Sequence, residues 1–473
     1  MRKMKNQENN RMIFKTFRMK NSLLVVVFLV SLSSFSQNKK WTLQECVDYA
    51  LENNITVKQS ELDTDIAEEN ITSAIGNFLP SVNGSTSGNF NFGSYIGQDG
   101  SRISSNTFGS SLSVNAGVTI FNGFRNTNLY KQAKLGLESS KVQLQKLKDD
   151  ISLFVVNSYL NALLNKENYK IAEEQYKVTQ QQVERITVLF NEGSQPKSAL
   201  LDVEAQLASN KEQLINAQNS IDLALLNLAQ LLQISHRGFD VEEVTFNLSS
   251  VELLYNDTDQ IFNKALGDRP EIRAAEINIE NSELDIEMAK SAFYPSVSLG
   301  AGLGTSYQHT LGEKDRRTIV DPNTGTISSI PNGFGTQFNN NLGYNVGVSI
   351  SVPIFNGNRT RASVNRAIIS SKRTAYGLEQ AKQDLRSTIE NAYLDARAAL
   401  NQYQASNASL VAQEEAFRTA KESYSQGVTT SFEFEQVRNR LISAQSTLAN
   451  SKYNFVFKSK LLEFYYGIPI TLD

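Results

Sequence analysis

Val118-Thr119-Ile120-Phe121-Asn122-Gly123-Phe124-Arg125 is where one periodicity of the chain gives way to another. Before it, Leu112, Val114, Ala116, Val118 and Ile120 alternate with Ser113, Asn115, Gly117 and Thr119, the pattern of a strand with one apolar face. After it, Val155, Ala162, Tyr169, Tyr176, Val183 and Phe190 recur at sevens, and a return leg carries Leu200, Leu207, Leu214, Ile221 and Leu228. Heptads in two antiparallel legs predict a helical hairpin with coiled-coil packing, its aromatic stripe forming the core. Strand, turn and hairpin together fill residues 118 to 234.

The same unit returns 234 positions later. Val352-Pro353-Ile354-Phe355-Asn356-Gly357 answers to residues 118–123, and Asn391-Ala392-Tyr393-Leu394 answers to Asn157-Ser158-Tyr159-Leu160. Upstream, Phe78-Leu79-Pro80-Ser81-Val82 matches Phe293-Tyr294-Pro295-Ser296-Val297 at an offset of 215. The offset changes once, by 19 residues, between Val82 and Val118, as a surface loop between two fixed elements tolerates. One module is therefore written twice. The organisation read from it is a signal peptide at 1–36, a first repeat at 37–234, an irregular equatorial segment at 235–258 and a second repeat at 259–473. Each repeat holds short helices, two strands and a long hairpin. Proline is absent from 81–195 and from 354–468, which leaves room for very long helices. Asn126 to Glu192 would span roughly 100 Å and Lys197 to Ile234 about 57 Å at the rise of an α-helix.

Val82–Phe92, Leu112–Ile120, Val297–Leu303 and Tyr344–Ile354 all read as strands, apolar on one side and small-polar on the other. Their length suits tilted transmembrane β-strands. A soluble sheet packed on a core has the same alternation. Aromatics at the strand ends favour the membrane: Phe78, Phe121, Phe293, Tyr294 and Phe355 toward one end, Phe90, Phe92, Tyr95, Phe108, Tyr307 and Tyr344 toward the other. Four strands cannot close a barrel, and an open edge in lipid leaves backbone groups unpaired. Closure must come from neighbouring protomers: a trimer gives 12 strands, a tetramer 16.

A basic region with Arg11, Lys15, Arg18 and Lys20 precedes the apolar run Leu23–Leu32, and Ser34-Phe35-Ser36-Gln37 follows as a cleavage site. Gln37 rather than Cys after the run argues against an N-terminal lipid anchor. Without residues 1–36 the chain keeps 39 basic and 48 acidic residues, a net of −9, a balance that argues against nucleic-acid binding as the main task. Cys46 is the only cysteine, so no disulfide framework exists, and it reads as a small buried side chain. His236 and His309, the only histidines, stand apart from any cluster at metal spacing. No phosphate loop, nucleophile elbow or cofactor motif occurs, so the chain reads as neither an enzyme nor a cofactor protein.

Each hairpin turns at a glycine, in Asn191-Glu192-Gly193-Ser194-Gln195-Pro196 and in Ser425-Gln426-Gly427-Val428-Thr429-Thr430. Glycine supplies the left-handed residue that ends a helix. Arg125 and Arg359 follow the strand-to-helix junctions at Gly123 and Gly357, placed for lipid headgroups or for the helices themselves.

The doubled order of helix, strand, strand and hairpin, with Leu79-Pro80-Ser81, Tyr294-Pro295-Ser296, residues 120–125 and Pro353-Ile354-Phe355-Asn356-Gly357-Asn358-Arg359, resembles the TolC family of outer-membrane efflux proteins. The resemblance covers nearly all of the mature chain. It implies an α+β membrane protein: a homotrimer whose 12-stranded transmembrane β-barrel, four strands per protomer, continues into a long periplasmic α-helical coiled-coil barrel. It implies a passive duct through outer-membrane lipid, serving efflux or type I secretion, with substrates delivered by an inner-membrane transporter and a periplasmic adaptor protein. Docking of that adaptor is then expected at Gly193, Ser194, Gly427, Val428 and Thr429. Glu433 falls where the family places one gate carboxylate. Gln436 stands where its partner acid is expected, and Asp202 on the first return leg is a substitute source of charge. The alternative is a trimeric coiled-coil surface fibre or adhesin with a membrane anchor, although such a chain should carry its strands terminally.

Overall fold

The computed structural model describes residues 39–104, 106–244, 246 and 257–468, so the expected signal peptide and residues 247–256 of the equatorial segment lie outside the described residues. Elements follow in the order β1 (Lys40–Trp41), α1 (Leu43–Asn53), α2 (Ile55–Gly76), β2 (Ser81–Asn91), β3 (Ser94–Ile96), β4 (Arg102–Ser104), β5 (Thr107–Asn122), α3 (Arg125–Asn191), α4 (Lys197–Leu232) and β6 (Asp240–Val241). Then come α5 (Thr258–Asp268), α6 (Pro270–Ser291), β7 (Ser296–Thr310), β8 (Arg316–Val320), β9 (Ile327–Pro331), α7 (Phe334–Asn340), β10 (Gly343–Ser351), α8 (Arg359–Ser425) and α9 (Ser431–Tyr466). The long helices α3 and α8 are both 67 residues, and α4 and α9 are both 36. Two compact units result, one from residues 59–145 and 269–384, the other from the remainder. Each draws on both copies of the repeat.

The first unit holds a four-stranded antiparallel sheet in the order β10-β7-β5-β2. Its register lines up the sequence's two faces across all four strands. Val346, Ala301, Ala116 and Val82 form one row, and Tyr344, Leu303, Val114 and Gly84 the next. On the other face Asn345, Gly302, Asn115 and Asn83 line up, with the hydroxyls of Ser85 and Ser113, and of Ser87 and Ser111, each 2.8 Å apart. The ladder shifts by one residue between Thr119 and Phe121. This bulge sets Phe121 opposite Val297, on the apolar side, where strict alternation would have turned it away. β10 is shorter than expected. It ends at Ser351, because Pro353 has no N–H to continue the ladder, and Val352 and Ile354 lie beyond it.

Ser296 pairs with both Asn122 and Ser351, and Ser81 lies opposite Gly117, so α2, α3, α6 and α8 all join the sheet at one end. At the other end β3 pairs with β4 and β8 with β9. The 19-residue excess of the second copy is thus no plain loop. It builds the β8–β9 hairpin and α7, whose Gln337 side chain bonds the backbone of Gln308 and Asn332. Aromatic groups mark both ends of the sheet: Phe121, Phe124 and Tyr294 beside the helices, Phe90, Phe108 and Tyr307 away from them. No described helix is long and apolar enough to cross a membrane.

In the second unit, Thr42 and Glu45 form a capping box and start α1. Cys46 is fully buried there, and burial pushes its thiol up to about 12. β1 pairs in parallel with β6, and the buried Tyr159 hydroxyl reaches the carbonyls of Trp41 (3.1 Å) and Glu242 (2.8 Å). Val155, Ala162, Ile221, Leu228, Ile389, Ala396, Phe455 and Leu462 are buried, as their heptads require. The stripe fails nearer the first tip. Tyr169, Tyr176, Val183 and Phe190 are only half-buried, and the buried slots belong to Gln175, Thr179, Gln182 and Ile186. Three of those four are polar, and the Asn210 amide joins the Gln175 amide (3.2 Å) and the Thr179 hydroxyl (2.6 Å). Spacing four-three-four puts these residues on one seam, and the hydrogen bonds make their burial tolerable.

Candidate functional site

The strand-to-helix junctions repeat a backbone device. Gly123 and Phe124 have φ of 65° and 66°, and Gly357 and Asn358 have 65° and 62°. Two left-handed residues in succession turn the chain from sheet to helix, and a side chain at the glycine would be strained. The copies differ in what surrounds them. A Cβ on Gly123 would lie 2.5 Å from the carbonyl oxygen of Ser291, whereas one on Gly357 would meet nothing. Asn122 and Asn356 brace the two turns, through Asn126 and Thr360 respectively. Arg359 donates from Nε to the Asn356 carbonyl at 3.1 Å, while Arg125 is exposed without a hydrogen bond or ion pair among the described residues.

The tips are built alike and finished differently. Gly193 (φ 73°) and Gly427 (φ 76°) end α3 and α8. Ser194 N–H donates to the Leu189 carbonyl (2.8 Å) and Val428 N–H to the Ser423 carbonyl (3.0 Å), so both close by the double-bonded glycine cap. Pro196 opens α4 without a side-chain cap. Thr430 opens α9 with a full capping box: Glu433 accepts from the Thr430 N–H (3.0 Å) and hydroxyl (2.9 Å). These bonds hold the Glu433 carboxyl below its ordinary range. Glu433 is therefore committed to its own helix start, while Asp202 is exposed, and no hydrogen bond or ion pair joins the two. Thr429 is half-buried and Ser194 exposed. The second tip carries the more exposed apolar surface: Val428 and Phe432 are each 77% exposed, against 55% for Val188 and 52% for Leu201 beside the first. Sequence reasoning passed over Phe432, because attention to the heptad core picks out Phe434 two residues on.

Behind that tip the two hairpins are joined. Phe434 stacks on Tyr424 (4.7 Å between centroids), over which the Arg185 guanidinium lies at 5.6 Å. Arg438, 2% exposed, donates to Gln182 at 3.2 Å and pairs with Glu435 at 2.7 Å. Desolvation raises the carboxyl pKa of Glu435 and lowers the guanidinium pKa of Arg438. A charge at position 438, four residues after Phe434 and three before Leu441, was the sequence signal for this cluster.

A sequence model of the family described as Outer membrane efflux protein matches residues 46–232 and 261–467. Outer membrane protein TolC of Escherichia coli (strain K12) is 24% identical, over 92% of this chain and 84% of that protein. Cation efflux system protein CusC of the same strain is 24% identical over 90% of this chain and 88% of its own. A solved structure of CusC superposes with a TM-score of 0.73 at 21% identity, covering 92% of this chain and 96% of that one.

Proposed function

The chain belongs to the outer membrane efflux protein family and is an outer-membrane channel of efflux or secretion, and we propose that it works as a homotrimer, a passive duct with no catalytic step. The observation that carries this reading is the sheet. Its apolar face is exposed or half-exposed at Leu112, Val114, Ala116 and Val118 of β5 and at Val297, Leu299, Ala301 and Leu303 of β7, its other face is small and polar, and both β2 and β10 are exposed along their whole lengths. Lipid suits the first face and water the second. Two open edges in lipid demand closure, and three copies of four strands give a 12-stranded barrel. The helices that leave one end of the sheet then continue the wall into the periplasm.

The tip glycines, with Ser194, Val428 and Thr429, form the docking surface for a periplasmic adaptor that links the duct to an inner-membrane transporter. Exposed Val428 and Phe432 make the second tip the more adhesive of the two. The cargo is chosen by the transporter. CusC is named for cation efflux; nothing in the strands of this chain selects cations. Asp202 and Glu433, three copies each around a narrow mouth, would bias the closed end toward cations. The surface-fibre alternative does not survive the family match.

Light scattering of the detergent-solubilised protein should give the mass of three chains; a monomeric species that needs no detergent refutes the duct. Replacing Gly193 or Gly427 with a bulky residue should weaken adaptor binding. Glu433→Gln should lower cation preference in bilayer conductance, and unchanged selectivity removes it from the gate.

A further inference from the structure

The two outer helices of the sheet-bearing unit carry opposite charge. α2 leads into edge strand β2, and α8 leaves edge strand β10. Most of α3 up to Gln145 and most of α6 is buried or half-buried, whereas most of α2 beyond Lys58 and of α8 up to Asp384 is exposed. From Gln59 to Gly76, α2 has Glu61, Asp63, Asp65, Glu68 and Glu69 and no basic residue. From Arg359 to Leu378, α8 has Arg359, Arg361, Arg366, Lys372 and Arg373 and no acidic residue. The inner helices behave differently. There Arg273 reaches Glu138, Glu276 and Glu280, and Lys290 reaches Glu287.

The exposed residues form stripes. On α2, Leu62, Asp65, Glu69, Thr72 and Gly76 follow at three-four spacing on the face opposite the buried Ala67 and Ala74. On α8, Ala362, Arg366, Ile369, Arg373 and Tyr376 follow at four-three spacing on the face opposite Ser371, which bonds Ser282 of α6. Such spacing is that of a seam awaiting another helix. Asp65, Glu69, Arg366 and Arg373 have no hydrogen-bond or ion-pair partner among their side chains' described neighbours. α2 runs toward the sheet and α8 away from it, so two copies set edge to edge would bring the stripes together antiparallel. Counted outward from the sheet, Gly76 then meets Ala362, Thr72 meets Arg366, Glu69 meets Ile369, Asp65 meets Arg373 and Leu62 meets Tyr376. Each arginine lies within one turn of an acid, and the smallest residues face each other where the sheets join.

We propose that the partner of the α8 face is the α2 face of a second copy of this chain, and that Arg366 and Arg373 against Asp65 and Glu69 set the register of that contact. The proposal rests on the trimeric reading and goes beyond it by naming the surfaces and the charges that choose the neighbour. A head-to-tail contact of this kind closes a ring.

The test reverses each stripe in the full-length protein in detergent at low salt, with mass read by light scattering. Asp65→Arg with Glu69→Arg should lower the ratio of trimer to monomer by more than about tenfold, since facing like charges are costly. Arg366→Glu with Arg373→Glu should do the same, and all four changes together should restore the trimer. A second measurement covers a misfolded variant. Asp65→Cys with Arg373→Cys, in a Cys46→Ala background, should give disulfide-linked ladders between protomers. A wild-type trimer whose reversals have no effect and whose cysteine pair stays silent overturns the proposed register and leaves the trimer standing. A monomeric wild type overturns both.

Discussion

Gly123→Ala and Gly357→Ala are the same substitution at equivalent backbone positions, and the structure separates their consequences. Both glycines have φ of 65°, so alanine at either site bears the left-handed strain of about 1–2 kcal/mol. At Gly357 nothing else opposes it. At Gly123 the new Cβ would stand 2.5 Å from the Ser291 carbonyl oxygen, 3.0 Å from its Cα and 3.0 Å from the Tyr294 Cβ. Two of these are backbone atoms at the end of α6 and cannot swing aside. Forcing them apart adds about 1–3 kcal/mol, the usual penalty for overpacking. Gly357→Ala should therefore destabilise by about 1–2 kcal/mol and Gly123→Ala by about 2–5 kcal/mol. Urea unfolding in a fixed detergent, followed by near-ultraviolet circular dichroism, reads the difference as unequal midpoints at similar slope. Equal losses would refute the steric half of the reasoning. Loss at neither site would refute the backbone half.

In the proposed barrel, Val114→Arg puts a charge on the face turned to lipid and should destabilise by about 2–4 kcal/mol, whereas Asn115→Arg, on the opposite, polar face, should change stability little and alter conductance instead. Glu435→Gln strands the buried Arg438 guanidinium and should cost about 3–5 kcal/mol in the same urea assay; adding Arg438→Met should recover most of it. Tyr159→Phe leaves the Trp41 and Glu242 carbonyls without their shared donor, at about 1–3 kcal/mol, and limited proteolysis should then cut sooner beside β1. At the second tip, Glu433 titrates below its ordinary range when folded, so its contribution is present above the ordinary carboxylate pKa and lost as pH falls through the lowered one. Amide protection at the first turn of α9, corrected for the intrinsic exchange rate, should fall with acid, and Thr430→Val, which removes the hydroxyl but keeps the N–H, should weaken that dependence.

Much of this was legible from spacing alone. Alternation in Leu112–Ile120 and Tyr344–Ile350 foretold which residues share a face, because a strand's side chains have a period of two and a register of four strands preserves it. Gly193 and Gly427 were legible because the cap needs a left-handed residue. The polar seam of Gln175, Thr179 and Asn210 was not, since heptad counting rewards apolar residues and gave those slots to tyrosines. β1 and β6 pair over two residues each across 200 positions, which leaves no local mark. Glu433 drew notice only for the gate position the resemblance gives it, and the three-residue spacing from Thr430 that marks a capping box was also legible there. The β8–β9 hairpin hid in a polar stretch whose short runs, Arg316–Val320 and Ile327–Pro331, lack a clean alternation.

The polar face of the sheet, which lines the bore of the proposed duct, holds Asn83, Ser85, Ser87, Ser113, Asn115, Thr119, Ser298, Asn345 and Ser349 among glycines, carries no charge, and has Gln308 as its longest side chain. A solute passing such a wall meets hydroxyls and amides that water replaces at little cost, and no ion to which it can bind. Dwell time along the strands should then be short and alike for cations, anions and neutral molecules. Throughput becomes a matter of bore and diffusion, and a blocker designed to lodge among these strands would find no foothold there.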